Sequence, residues 1–258
     1  MSVQRSIQSA AFIALAFVAT LISGCKSDST TSTDSGAVTP KPGSSYTYAQ
    51  HYKDSTNTGV TENDSIIIAT VVSSGLTYQG KSNVITLHDG NGTDTLRYVM
   101  ESNGDVSVYR ANFTANVAAA PISFANPTPW MTLPFGSKKT GVALFTAYDT
   151  ISVNSILIPL VIVGTGDYIS PETLVDGTGK KIASGNKAKL TITVTGSYSG
   201  IMLNVIVGQT YSFDPTIGGY FASVGTFNLP PVSFFGTTLI QGDQSTKTRI
   251  LTSFSLIK

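Results

Sequence analysis

The chain is short of almost everything that marks a cytoplasmic enzyme. Its 258 residues include one cysteine, Cys25, two histidines, His51 and His88, and one tryptophan, Trp130. A single cysteine excludes any internal disulfide framework. Charged residues make up only 12% of the sequence, about half the usual share of roughly a quarter. The 16 basic residues nearly match the 15 acidic ones, for a formal charge of +1. That balance leaves no cationic surface for nucleic acid or anionic lipid. No segment after Cys25 holds a helical hydrophobic period over eleven residues, so helical bundles and α/β folds are excluded. Also missing are a Gly-x-Ser-x-Gly elbow, a His-Glu-x-x-His pair, a Walker loop and a dinucleotide fingerprint. What fills the chain instead is Gly, Ser, Thr, tyrosine, phenylalanine and β-branched residues, a composition suited to pleated, half-buried surfaces.

The N-terminal stretch follows a different rule. Arg5 is the only charge before Cys25, and Ala10–Ile22 is apolar apart from Thr20. That run is too short for the ~18 residues a bilayer-spanning helix needs, and it has the length of a secretory leader. Leu21-Ile22-Ser23-Gly24-Cys25 closes it with small side chains before the cysteine. The pentapeptide resembles the lipobox of bacterial lipoproteins. The resemblance implies that residues 1–24 are a signal peptide, that Cys25 is diacylated and becomes the new N-terminus, and that the protein sits on a membrane of the bacterial envelope. Lys26 stands where that family places an aspartate for inner-membrane retention, which implies the outer membrane. Two or three acyl chains on Cys25 hold a protein without a transmembrane helix, because each buried methylene contributes about 0.8 kcal/mol.

Residues 25–44 are expected to be a linker rich in Ser, Thr, Asp, Gly and Pro, with Val38 its only large apolar residue. Residues 45–258 are expected to be the folded β domain, with a subdivision near 114–140 as an option. Tyr46, Tyr48, Gln50 and Tyr52 alternate with small or polar residues, a period of two. Ser65–Val72 is nearly continuous in β-branched residues. Asn103-Gly104 predicts a tight type I′ hairpin turn. Pro121, Pro127, Pro129 and Pro134 predict a break over Ala115–Pro134, since proline is excluded from central strands. Ile156–Val163 is a strand bent at Pro159, and Gly164–Asn186 reads as loop with a helical turn over Pro171–Leu174. Beyond it Leu190, Ile192 and Val194 alternate with threonines, and Ile250, Thr252, Phe254 and Leu256 share a face.

These strands predict an all-β fold, an antiparallel and strongly curved sheet or half-barrel; two β subdomains or a β-sandwich are the alternatives. In plan (anchor, tether, then a long antiparallel sheet) the chain resembles the LolA/LolB-like envelope lipoproteins, whose curved sheet cradles acyl chains. That implies a non-enzymatic protein with an apolar ligand in a β cavity and the membrane as its partner through Cys25.

Other chemistry is weighed against ordinary structure. Exposed tyrosines among Tyr46, Tyr48, Tyr52, Tyr78, Tyr98 and Tyr109 would suit a glycan- or protein-binding surface; packed inside, they are core. A hydrolase would need His51 or His88 beside a nucleophile. Asp89, Asn91, Thr93 and Asp94 resemble the start of a calcium loop but lack its glycine, and a hairpin turn explains them better. Asp149 and Glu172 are a distant carboxylate pair. The sequence assigns no catalytic residue, no metal ligand and no cofactor; Cys25 as lipidation site is the one residue given a role.

Overall fold

The computed structural model describes residues 36–257, apart from 57–58, 91–94, 118–119, 154–155, 200, 235–236 and 241. Cys25 and the leader therefore lie outside the described residues. Gly36–Lys258 is one unit by its internal contacts. It holds β1 (Ser45–Thr56), β2 (Gly59–Tyr78), β3 (Lys81–Asp89), β4 (Thr95–Met100), β5 (Val106–Tyr109), β6 (Asn112–Val117), β7 (Ala120–Ala125) and β8 (Trp130–Leu133). Then come β9 (Val142–Val153), β10 (Ile156–Val175), β11 (Lys181–Tyr198), β12 (Ile201–Asp214), β13 (Gly219–Leu229), β14 (Val232–Phe234), β15 (Thr237–Ile240) and β16 (Asp243–Ser255).

Twelve of these form one antiparallel sheet in the order β8-β5-β4-β3-β2-β1-β16-β13-β12-β11-β10-β9, and it curls into a nearly closed barrel. The all-β, strongly curved antiparallel sheet expected from the alternating pattern is what forms. Two meanders, β1–β5 with β8 and β9–β13, are joined by the last strand, which pairs with β1 on one side and β13 on the other. The pairs β6–β7 and β14–β15 are hairpins outside the main sheet.

The core lies on the inner face. Ile158, Leu160, Ile162, Ile192, Val194, Leu203 and Val205 are buried on β10–β12. At the end that carries the β12–β13 turn the core is aromatic. Tyr98 packs edge-on to Phe213 and Tyr220, and Phe135 tilts against both. Three buried tyrosines secure that turn. Tyr46 donates its hydroxyl to the Ile217 carbonyl at 2.8 Å, Tyr98 to Gly218 at 2.6 Å, and Tyr48 to Tyr220 at 2.8 Å. A turn buried inside a barrel end has carbonyls that water does not reach, and these hydroxyls satisfy them. Val38 N–H donates to Pro215 O at 2.8 Å and Pro40 is buried, so residues 38–40, within the stretch read as a tether, lie along this same turn, while Gly43 and Ser44 bond to Val71 of β2.

Three local expectations are corrected. The loop expected over Gly164–Asn186, with its helical turn at Pro171–Leu174, is the second half of β10, a tight turn over 176–180 and the start of β11. Two of its glycines are close-packing positions: a Cβ at Gly164 would meet the Phe145 ring at 2.3 Å, and one at Gly185 the Phe213 carbonyl oxygen at 1.8 Å. Pro171 is tolerated because the β9 ladder ends at Gly166, so on that side its missing N–H breaks no bond. The break over Ala115–Pro134 contains the end of β6 and all of β7 and β8, yet none of them is a central strand: β8 is a sheet edge and β6–β7 a detached hairpin. The Asn103-Gly104 hairpin forms with a different turn. Gly104 has φ 80° while Asn103 is not left-handed, and Gly104 N–H donates to Glu101 O and Glu101 N–H to Asp105 O. That is a type I turn closed by a glycine bulge.

Candidate interior site

The inner face of β16 carries charge. Register places Gln50 of β1, Arg249 of β16, Ser223 of β13 and Tyr211 of β12 on one rung. The next rung is Tyr52, Lys247, Gly225 and Gln209. Directly opposed residues in an antiparallel sheet share a face, so both rungs contribute to one wall. Between that wall and Ala69, Leu87, Asp89, Leu96 and Arg110 lies a cavity of about 260 Å³, which Tyr48, Tyr220 and Ala222 also line. Gly225 keeps it open, since a Cβ there would approach the Gln209 amide at 3.1 Å.

The polar groups of this cavity differ in how they are held. Arg249 is fixed: its Nε donates to Gln50 Oε1 at 2.8 Å and its Nη2 to Asp89 Oδ2 at 3.2 Å, while Gln50 donates in turn to Ser65. Arg110 lies over the Phe113 ring at 5.2 Å, and among the described residues no carboxylate comes within ion-pair distance of it. Tyr220 is 4% exposed, and its hydroxyl has no hydrogen-bond partner among the described residues. Burial first, then the nearby Tyr211 and Tyr48, push the Tyr220 hydroxyl well above its ordinary pKa. Burial also raises Tyr211, against the opposing pull of Arg110 and Arg249. Both therefore stay protonated donors at neutral pH.

The candidates from the sequence fall elsewhere. His51 is a surface strand residue whose Nδ1 meets Asp64 Oδ1 at 2.8 Å, its direct cross-strand partner. His88 pairs with Thr70 and Thr95 and lies in an outer groove with Arg97 and Tyr78. Neither histidine lines the cavity. Asp89 of the calcium-like run holds Arg249; Asn91, Thr93 and Asp94 lie outside the described residues. Asp149 and Glu172 do not meet. Asp149 stands opposite Leu160 on β10, and Glu172 is twelve residues further along that strand, roughly 40 Å away at the rise of a strand; it pairs with Lys187 at 2.7 Å. Tyr46, Tyr48 and Tyr98 are core. Tyr78, Tyr109 and Trp130 are half-buried outside, with ring centroids 4.9 Å apart for the first pair and 5.2 Å for the second. Arg97 lies over Tyr78 at 4.4 Å.

Arg110, Lys247, Arg249, Tyr211 and Tyr220 were not singled out by the sequence. The only pointer to them was the alternation Lys247, Arg249, Leu251 against Thr246, Thr248, Ile250. A period of two separates the faces without saying which is inside. The structure puts Leu251 in the core and leaves Ile250 43% exposed. Compared with models of protein families, with curated proteins and with solved structures, the chain matches none.

Proposed function

We propose that the chain is a non-enzymatic binding protein of the bacterial envelope, held at the outer membrane by lipid on Cys25, which carries one small ligand inside its barrel. The observation that supports the binding role is the cavity itself, walled by Gln209, Tyr211, Lys247 and Arg249 on one side and by Ala69, Leu87 and Leu96 on the other. At about 260 Å³ the cavity falls just below the roughly 300–1,000 Å³ of drug-sized sites, which supports a small molecule over a multi-chain lipid. The lipobox residues Leu21–Cys25 support the anchor.

Native mass spectrometry of the full chain isolated from a bacterial envelope tests the carrier role. A bound species of defined mass, lost when Ser223→Phe on the inner rung fills the cavity, is the expected result. A mass equal to the acylated chain alone in both proteins counts against it. Alkyne fatty-acid labelling that persists in Cys25→Ala removes the anchor.

A second reading is favoured by the outer cluster. Thr86, Arg97, Tyr109 and Trp130 form a rung across β3, β4, β5 and β8, and half-exposed rings beside an arginine suit stacking on a sugar. Glycan-array binding that disappears in Trp130→Ala supports it; an array without binding removes it.

A further inference from the structure

We infer that the interior cavity selects a small organic anion, a carboxylate or phosphate monoester on a short apolar stem, with Arg110 and Arg249 holding the anionic head. The inference rests on the carrier reading above and gives that ligand its chemical class.

Charge comes first. The cavity is lined by the cations Arg110, Lys247 and Arg249 and by a single carboxylate, Asp89. Asp89 is engaged with Arg249 at 3.2 Å, and no carboxylate among the described residues reaches Arg110. Arg110 and Arg249 both line this one volume. A cationic ligand would add repulsion there, and a neutral one would leave Arg110 without a carboxylate partner in a partly desolvated place. An anion between them gains charge-assisted hydrogen bonds, about twice as strong as neutral ones.

The second observation is independent of net charge. The positions are prepared before any ligand arrives. Gln50 and Asp89 fix the Arg249 guanidinium, and the Phe113 ring lies beneath Arg110, so little side-chain freedom is left to lose on binding. Across from Lys247 and Arg249, Ala69, Leu87 and Leu96 give an apolar wall, which suits a short hydrocarbon stem. The wholly apolar ligand expected from the sequence is thereby replaced by an amphiphile with a charged head.

The test is a native mass-spectrometric titration of the full chain with hexanoate, hexyl phosphate and hexan-1-ol, which differ only in the head. The expected result is that one or both anions bind about tenfold or more tighter than the alcohol, that Arg110→Gln abolishes this preference and that Arg110→Lys retains most of it. Which anion leads separates a carboxylate from a phosphate. Should Arg110→Gln fail to fold, Lys247→Gln replaces it, with the anions again expected to lose affinity. Hexan-1-ol binding as tightly as both anions overturns the anion inference and leaves the carrier reading standing. A co-purified molecule identified as neutral does the same. A chain with wild-type unfolding that binds no probe and carries no co-purified mass overturns both.

Discussion

At the scale of single residues, two buried tyrosines carry opposite expectations. Tyr98 donates its hydroxyl to the Gly218 carbonyl at 2.6 Å, so Tyr98→Phe is expected to destabilise the protein by about 1 kcal/mol, read as a fall of roughly 2–4 °C in Tm. Tyr220→Phe is expected to do the opposite. Its hydroxyl has no partner among the described residues, so removing it raises the Tm by a similar amount. Asp243 gives a third prediction. Burial first, and then the nearby Asp54, hold its carboxyl above the ordinary range. The folded state therefore takes up this proton at higher pH than the unfolded chain does. The resulting stabilisation is full below the ordinary aspartate pKa and is lost as the pH rises through the folded value. Asp243→Asn is expected to raise Tm by roughly 1–3 °C at pH 7, with the gain vanishing near pH 3 in thermal melts. None of this was legible in the sequence: Tyr98 and Tyr220 read alike, and burial and partners, which only the fold assigns, set their opposite roles.

At the scale of elements, the pattern of two revealed most strands and mistook the glycines. Leu190–Val194 alternates with threonine because one side of β11 faces the core, and that reading needs only local sequence. Gly164 and Gly185 look like loop residues for the same local reason. Their true constraint is a ring or a carbonyl contributed from elsewhere in the chain, which no local window contains. The two kinds of neighbour predict different costs. At Gly164 the obstacle is the Phe145 side chain, so Gly164→Ala is expected to cost about 1–3 kcal/mol as the ring shifts. At Gly185 it is the backbone oxygen of Phe213, which has no rotamer to adopt, so Gly185→Ala is expected to cost more than Gly164→Ala in parallel denaturant melts. The turn at Asn103-Gly104 shows the same limit. The dipeptide announced a hairpin, but the Asn103 side chain, which accepts from Asp105 N–H at 3.0 Å and donates to its carboxylate at 2.9 Å, accompanies a type I turn with a bulge instead.

At the scale of the whole molecule, the sheet order makes β16 the bridge between two halves. It meets β1 from Ser45↔Ser255 to Thr56↔Asp243 and β13 from Ala222↔Ile250 to Leu229↔Asp243. Deleting residues 243–258 is expected to abolish cooperative unfolding altogether, measured by circular dichroism, since it exposes the edges of β1 and β13 and removes two of the cavity's cations together. The sequence showed a final strand but not this position. Pairing between the first strand and the last joins residues some two hundred apart, and its register is set by the closure of the barrel as a whole.

That placement has a consequence for how the molecule is made. Chains leave the ribosome, and cross membranes, from the N-terminus onward, so both meanders emerge while the strand that unites them is still missing. Until the last sixteen residues appear, two unpaired edges wait side by side with the future cavity split between them. Closure and the assembly of the site are then one event. A chain cut short by a late stop codon keeps most of its hydrophobic inner face but has no way to seal it, and so presents itself to proteases. The same adjacency offers a rearrangement: with Ser45 opposite Ser255, joining the old ends and opening the chain at the Asp176–Gly179 turn should preserve every strand pair while changing which half is made first.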